Sequence, residues 1–319
     1  MSPEKRTLTE VEGRRLSLSN LDKVIYPDAG FTKADVISYY LHVAPVLLPH
    51  LAGRPVTFTR FPDGVGAPSF FEKHVKKGAP PWLRTVKVPR RSGDAGRAVE
   101  VIEYAMIEDL ASLVWAANLA ALELHVPMWR SVRDGSFGDF DTMVFDLDPG
   151  APASMVECCA VARWLHDVLG DAGFEVVCPK TSGSKGLQLY VPLDPRRPGD
   201  EVRALAHGLA RRLERDHPEA VVSNMRRDLR KGKVLIDWSQ NHPVKTTIAP
   251  YSLRAQPRPT ASTPVTWDEV ASCERTRRAD DLRFEAEDVL ARVAAMGDLF
   301  ASVLTAAGPA RRRHRDHAE

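Results

Sequence analysis

Residues 143–150 read MVFDLDPG. In an extended strand successive side chains point to opposite faces, so Met143, Phe145 and Leu147 face one way while Asp146 and Asp148 share the other. Pro149-Gly150 ends the strand there and brings both carboxylates together at a sheet edge, where α/β proteins commonly bind ligands. Working outward, a helix over about 155–169 follows, then FEVVC (174–178) as a strand, the turn TSGSKG (181–186) and the strand LQLYVPL (187–193). A helix over about 201–215, a basic stretch and the strand KVLIDW (233–238) come next. Strands divided by helices of this length predict an α/β fold with a mixed sheet.

The flanks are read by the same rules. Thr32 to Asp35 is a capped helix start, and Val36, Tyr39, Tyr40, Val43, Val46 and Leu47 follow at helical spacing, predicting a helix over about 33–50. VTFTRF (56–61) and TVKVPRR (85–91) read as strands around a loop-rich insert, GVGAPSFFEKHVKKGAPPW (64–82). The strongly apolar run from Ile107 to His125 reads as a second helix. LRAQPRPTASTPVTW (253–267) reads as an ordered connection, and helices over about 285–305 close the fold. No internal linker stands out, which predicts two lobes on one continuous chain, residues 1–306, and a mobile basic tail, 307–319.

With 319 residues, 44% of them apolar, the chain can fill a sizeable core, which excludes disorder for most of it. Lys and Arg number 44 against 42 Asp and Glu, and the resulting net charge of +2 hides local clustering. Cys158, Cys159, Cys178 and Cys273 form no CxxC pair, so neither a disulfide framework nor a structural zinc is indicated, and a reducing compartment is expected. The N-terminus has no apolar leader, and the longest uncharged apolar stretch, Leu110 to Leu122, is far short of the roughly 20 residues of a membrane span. The expectation is a cytoplasmic protein with no membrane partner. No internal repeat recurs, which excludes solenoids and propellers.

The chemistry centres on the acids. Two like charges on neighbouring positions of one strand face repel, and one pKa rises unless a cation lies between them. Mg²⁺ or Mn²⁺, hard ions that take oxygen ligands, would remove the conflict. The alternative is a solvated strand end with two unrelated aspartates. Asp237 is the only acid in the apolar strand KVLIDW, so it is either buried against a partner such as an Arg or faces a polar site. Three aspartates on neighbouring strands suit two-metal phosphoryl or nucleotidyl transfer. The turn TSGSKG supplies close backbone approach at Gly183 and Gly186, hydroxyls at Ser182 and Ser184, and a charge at Lys185, a set suited to a polyphosphate, although polar glycine turns between strands are common. Arg226, Arg227, Arg230, Lys231 and Lys233 cluster, and Lys73, Lys76 and Lys77 flank Phe70-Phe71. Such charges can follow a nucleic-acid backbone and such aromatics can stack on bases; the alternatives are a solvated face and a core pair.

LDKVIYP, FTKAD, AGRPVT, FFEKH, APPWL, LELHVPMW, FDLDPG, TSGSKGL, KVLIDWSQN and KTTIAPYSLR occur in this order from about residue 16 to 254. In these segments the chain resembles the polymerase domain of bacterial ligase D, the primase-like polymerase of non-homologous end joining, within the archaeo-eukaryotic primase superfamily. The resemblance implies a two-lobed primase-polymerase-like fold with mixed sheets flanked by helices. It implies a metal-dependent DNA-directed nucleotidyltransferase that favours ribonucleotides, fills gaps and extends ends. Asp146, Asp148 and Asp237 match the family's residues for two Mn²⁺ or Mg²⁺ ions. Ser182, Lys185, Arg230, Gln240 and Arg254 match triphosphate or nucleotide contacts, and His125 lies near the ribose in that match. Phe70 and Phe71 match aromatics stacked against base and template, and Lys23 and Lys33 match a pair that grips a downstream 5′-phosphate. Gapped or broken DNA and NTP or dNTP are the implied substrates, Ku and a separate ATP-dependent DNA ligase the implied partners, and the nucleoid the implied location.

One position departs from the family pattern. The family usually has His after TSGSKGL, where it meets the triphosphate, and this chain has Gln188. An amide can donate a hydrogen bond but carries no charge, so weaker triphosphate binding and altered activity are expected. Two other classes compete: a DxD phosphatase, whose second Asp is usually followed by Thr or Val rather than Pro149, and a non-catalytic DNA-end-binding module.

Overall fold

The structure, a computed structural model, describes residues 6–75, 78–90, 100–132 and 137–305. The first elements are β1 (Arg6–Val11), β2 (Arg14–Ser19), β3 (Val24–Tyr26), β4 (Phe31–Thr32) and α1 (Lys33–Leu51). Helix α1 starts where its cap predicts. The Thr32 hydroxyl accepts the Asp35 N–H, and the Asp35 carboxylate accepts the Thr32 N–H. Next come β5 (Pro55–Arg60), β6 (Phe70–Glu72), β7 (Thr85–Arg90), β8 (Glu100–Met106), α2 (Leu110–Asn118) and β9 (Ala121–Val126). The central run is β10 (Phe140–Pro149), α3 (Met155–Asp171), β11 (Cys178–Thr181), β12 (Leu187–Arg197), α4 (Gly199–Asp216), β13 (Val221–Val222) and β14 (Val234–Asp237). Then follow β15 (Thr247–Ile248), α5 (Trp267–Thr276), α6 (Ala286–Met296) and α7 (Ala301–Thr305).

Two main sheets define two lobes. The first has the order β11-β12-β10-β14-β13 and is mixed, because β13 runs parallel to β14. Cys158, Ala162 and Leu165 of α3 and Val202 and Ala206 of α4 belong to its core with Phe145, Leu147 and Leu189. The second has the order β15-β9-β5-β8-β7, with β6 paired to β5. Val36, Tyr40 and Leu47 of α1 and Leu113 and Ala117 of α2 pack with Val56, Phe58, Leu122 and Leu124 there. Each such fully buried aliphatic side chain contributes about 1.5–3 kcal/mol. A buried ion pair ties the lobes together: Arg54, just before β5, grips Asp141 on β10 at 2.7 and 2.8 Å.

Four readings of the sequence change. The run 107–125 is not one helix: α2 stops at Asn118, Ala120 takes a left-handed φ of 55°, and 121–126 becomes β9, so His125 sits on a strand paired with Thr57. Its apolar density could not separate helix from strand, and pairing with β5 and β15 decided. FEVVC is not the strand; Cys178–Thr181 is, because the turn at 182–186 sets the register Thr181 with Leu187 and Cys178 with Tyr190. The insert 64–82 contains β6, which carries Phe70 and Phe71. Strand β10 is the middle of its sheet, with β12 and β14 on its two sides, so Asp146 and Asp148 lie at a strand end and not on an edge strand. Helix α5 was overlooked, although Thr266 and Glu269 form a reciprocal cap visible as T-x-x-E. Lys76, Lys77 and the tail 307–319 lie outside the described residues. Among the described residues no helix is long and apolar enough to cross a membrane.

Candidate active site

A row of polar side chains crosses the first sheet in register. Asp146 on β10 is opposite Asp237 on β14 and, on its other side, opposite Gln188 on β12; Gln188 in turn is opposite Lys180 on β11. Residues opposite each other in an antiparallel pair lie on the same face, so the four form a line with Asp148 two residues along β10. Burial, the Asp148 charge and the Asp237 charge push the Asp146 carboxyl up to about 7, against the opposing Gln188 hydrogen bond and Lys180 charge. Asp148 is also raised, by burial and Asp237, although Lys185, Arg230 and Arg254 pull it down. These carboxyls are therefore costly as anions, which is what a site made for a cation requires.

Asp237 is held differently. Its Oδ1 accepts from Ser239 N at 2.9 Å and Ser239 Oγ at 2.6 Å, and its Oδ2 accepts from Gln240 Nε2 at 3.0 Å. Gln240 thus contacts the aspartate. Among the described residues no three His, Cys, Asp or Glu side chains stand close enough to hold an ion as placed. The Asp146–Asp148 pair nevertheless fits a hard divalent ion: its donors are carboxylate oxygens, and its raised pKa values record the repulsion such an ion would relieve.

The turn after β11 closes over the strand end. A Cβ on Gly186 would lie 2.4 Å from the Leu147 carbonyl oxygen, and one on Gly183, at φ 71°, would lie 2.6 Å from Arg254 Cγ. Only glycine fits this approach. Ser182 Oγ accepts from Ser184 N at 3.3 Å and Gly186 N at 3.1 Å, leaving Ser184 and Lys185 exposed at the tip. Gly150 is required on the other side, since a Cβ there would lie 1.9 Å from the Arg230 carbonyl oxygen. Arg230 NH2 donates to the Met225 carbonyl at 2.5 Å, while its buried Nε has no hydrogen-bond partner in the structure. A buried guanidinium N–H without an acceptor marks a place for an anion.

Arg254 joins this wall to the second lobe. Its NH1 donates to the Ser182 carbonyl at 2.8 Å and its Nε to Glu123 Oε1 at 2.9 Å. Glu123 on β9, which sequence reasoning missed, also accepts the Ala255 N–H and pairs with His125 Nε2 at 3.0 Å. Burial alone would raise this carboxyl, but the His125 bond and the Arg254 charge outweigh it and hold it at about 2. Its signal was available: an acid alternating with apolar residues in ALELHV, as Asp237 does in VLID. Phe71 meets the His125 ring edge-on at 6.2 Å, and Phe70 and Phe71 are 52% and 58% exposed. Rings of that size left in solvent are not core residues.

The remaining candidates take other positions. Gln188 is 3% exposed and lies within the sheet. Lys180, buried and also missed, donates to Gln188 Oε1 at 2.5 Å; burial pulls its ammonium well below the usual range. Lys33 N donates to the Lys23 carbonyl, which sets the two lysines side by side. Lys23 pairs with Asp63 at 2.6 Å, and Lys33 is buried with its ammonium on the Ser19 carbonyl at 2.6 Å.

Comparison with known proteins places this arrangement among relatives. Residues 32–300 match the family model described as LigD, primase-polymerase domain. The chain is 45% identical over 294 residues to the multifunctional non-homologous end joining DNA repair protein LigD of Mycobacterium tuberculosis, covering 90% of this chain and 36% of that one. It is 32% identical over 259 residues to the bifunctional non-homologous end joining protein LigD of Bacillus subtilis, covering 81% of this chain and 40% of the relative. The chain therefore spans under half the length of these curated relatives. Among solved structures, the polymerase domain from Mycobacterium tuberculosis ligase D in complex with DNA superposes with a TM-score of 0.82 at 44% identity, covering 91% of this chain and 98% of that one.

Proposed function

The chain belongs to the LigD primase-polymerase domain family, and from that premise we propose that it is a DNA-directed nucleotidyltransferase that fills gaps and extends ends in non-homologous end joining. The observation that carries the reading is the opposition of charges at one strand end. Asp146 and Asp148, costly as anions, lie beside Lys185, Arg254 and an Arg230 Nε without an acceptor. Acids that want a cation next to cations that want an anion describe a site for a metal–triphosphate complex.

In this reading Asp146 and Asp148, with Asp237 alongside, would hold Mn²⁺ or Mg²⁺. When bound, such ions lower the pKa of a primer 3′-hydroxyl and neutralise charge on the reacting phosphates. The residues of the chain do the rest. Lys185, Arg230 and the Ser182 turn bind the triphosphate, and Arg254 ties that turn to Glu123 on the other wall. His125, oriented by Glu123, faces the ribose and is the residue through which ribonucleotides would be favoured. Phe70 and Phe71 offer rings to bases, worth about 1–3 kcal/mol per stacked base. Lys23 and Lys33 form the downstream 5′-phosphate grip, with Lys33 needing to leave Ser19 to take part. DNA with gaps or broken ends, Ku and an ATP-dependent ligase that seals the product are the partners of this function; the Mycobacterium tuberculosis structure is a complex with DNA.

The test is extension of a primer across a short gap with Mn²⁺ or Mg²⁺, offering ribonucleotides and deoxyribonucleotides in parallel. Template-dependent addition, faster with ribonucleotides, is expected. A second reading, a non-catalytic end-binding module, draws on the absence of three acids at metal-holding separation among the described residues. Tight binding of gapped DNA without any metal-dependent addition would establish it instead.

A further inference from the structure

Asp146 is supported by a polar chain whose direction is set two strands away. Lys180, Gln188 and Asp146 are consecutive cross-strand neighbours on β11, β12 and β10. Lys180 is fully buried, and its ammonium donates to Gln188 Oε1 at 2.5 Å and to Ser262 Oγ at 2.6 Å. An ammonium has only donors, so the amide atom that meets it must be the oxygen. With Lys180 charged, that requirement removes the usual ambiguity between the two ends of an amide. The Nε2 hydrogens are thereby turned away from Lys180 and left for Asp146, the cross-strand neighbour of Gln188 on β10. Burying an ammonium costs several kcal/mol, and an apolar side chain would fill the space at lower cost. The position makes sense through what Lys180 does to the amide.

We propose that Lys180 and Gln188 are positioning residues, a buried ammonium–amide–carboxylate relay that holds Asp146 in the orientation in which it ligates a divalent cation. The relay rests on the metal-site reading above and adds the pair that supports its central carboxylate. It also gives Gln188 a role other than triphosphate contact, since its amide is enclosed by the sheet. A neutral imidazole has one acceptor nitrogen and one donor nitrogen, so His at this position can accept from Lys180 and donate to Asp146 in the same order. Leu can do neither.

The experiment is a Mn²⁺ titration of the full chain without DNA or nucleotide, followed by the electron paramagnetic resonance of free Mn²⁺, with thermal melting of each metal-free variant. Lys180→Met and Gln188→Leu are expected to weaken Mn²⁺ binding about 10- to 100-fold, the range for groups that orient a metal ligand; Lys180→Met should keep the parent's melting temperature, whereas Gln188→Leu, which strands the buried Lys180, should melt earlier. Gln188→His is expected to bind Mn²⁺ as the parent does. Parent-like affinity in both Lys180→Met and Gln188→Leu overturns the relay. So does a Gln188→His variant weakened as much as Gln188→Leu, a comparison that holds even where Lys180→Met melts early. A parent protein that binds no Mn²⁺, or binds it undiminished as Asp148→Ala, overturns the metal site itself and is distinguishable from failure of the relay.

Discussion

Asp141 and Asp146 lie five residues apart on β10 and have opposite fates. Asp141, at the start of the strand, is fully buried and gripped by Arg54 at 2.7 and 2.8 Å and by Arg130 at 2.9 Å. Burial works against its ionisation, but the Arg54 and Arg130 charges and hydrogen bonds outweigh it, and the carboxyl falls below its usual range. Asp146, at the end, meets Asp148 and Asp237 where Asp141 meets two guanidiniums, and rises to about 7. Burial pushes both carboxyls up, so the partners decide. A carboxylate given its cation by the protein holds lobes together; one denied it is left to find a cation elsewhere.

Each end can be broken separately. The largest effect is expected at the functional end: Asp148→Ala should cut template-dependent extension by about a thousandfold or more, several kcal/mol of transition-state stabilisation, while gapped-DNA binding by fluorescence anisotropy is retained. Unchanged extension would sink the site assignment. At the structural end, Asp141→Ala strands Arg54, and urea unfolding at pH 7 should show a loss of about 3–5 kcal/mol.

The two ends also predict opposite pH behaviour. Asp146 in the fold binds its proton more tightly than at its ordinary 3.8, so the metal-free protein loses stability as pH rises from about 4 through about 7. Asp146→Asn carries no such penalty and should be more stable than the parent at pH 8, with the gain gone near pH 4. Asp141 binds its proton less tightly in the fold, so its contribution is present above the ordinary carboxylate pKa and is lost as pH falls through its lowered value. Denaturant melts at pH 4 and pH 8 decide the first, and melts continued below pH 4 the second; a stabilising effect of Asp146→Asn that persists undiminished at pH 4 would contradict the assignment. The smallest effect belongs to a solvent-exposed pair: Lys23 and Asp63 are 2.6 Å apart with Asp63 72% exposed, and Asp63→Ala should change stability by about 0–1 kcal/mol.

How much of this was legible follows from where each signal resides. The β10 alternation, the Thr32 cap, the apolar stripe of α1 and the glycine turn at 183–186 depend on residues a few positions apart, and all four stand as read. The run 107–125 was misread because its division depends on Thr57 and Ile248, which pair with His125 from far along the chain. Lys180 and Glu123 went unnoticed for a related reason: their partners include Ser262, 82 residues away, and Arg254, 131 residues away.

The sequence by itself therefore determined many of the elements, the acids on one strand face and the family to which they belong, since periodicity, capping and motif order are local properties of the chain. Only the tertiary structure decided which aspartate is a brace and which a candidate ligand, and which way the Gln188 amide points. Those outcomes depend on burial and on charges brought within a few ångströms by distant segments, and interactions of that kind have no local signature.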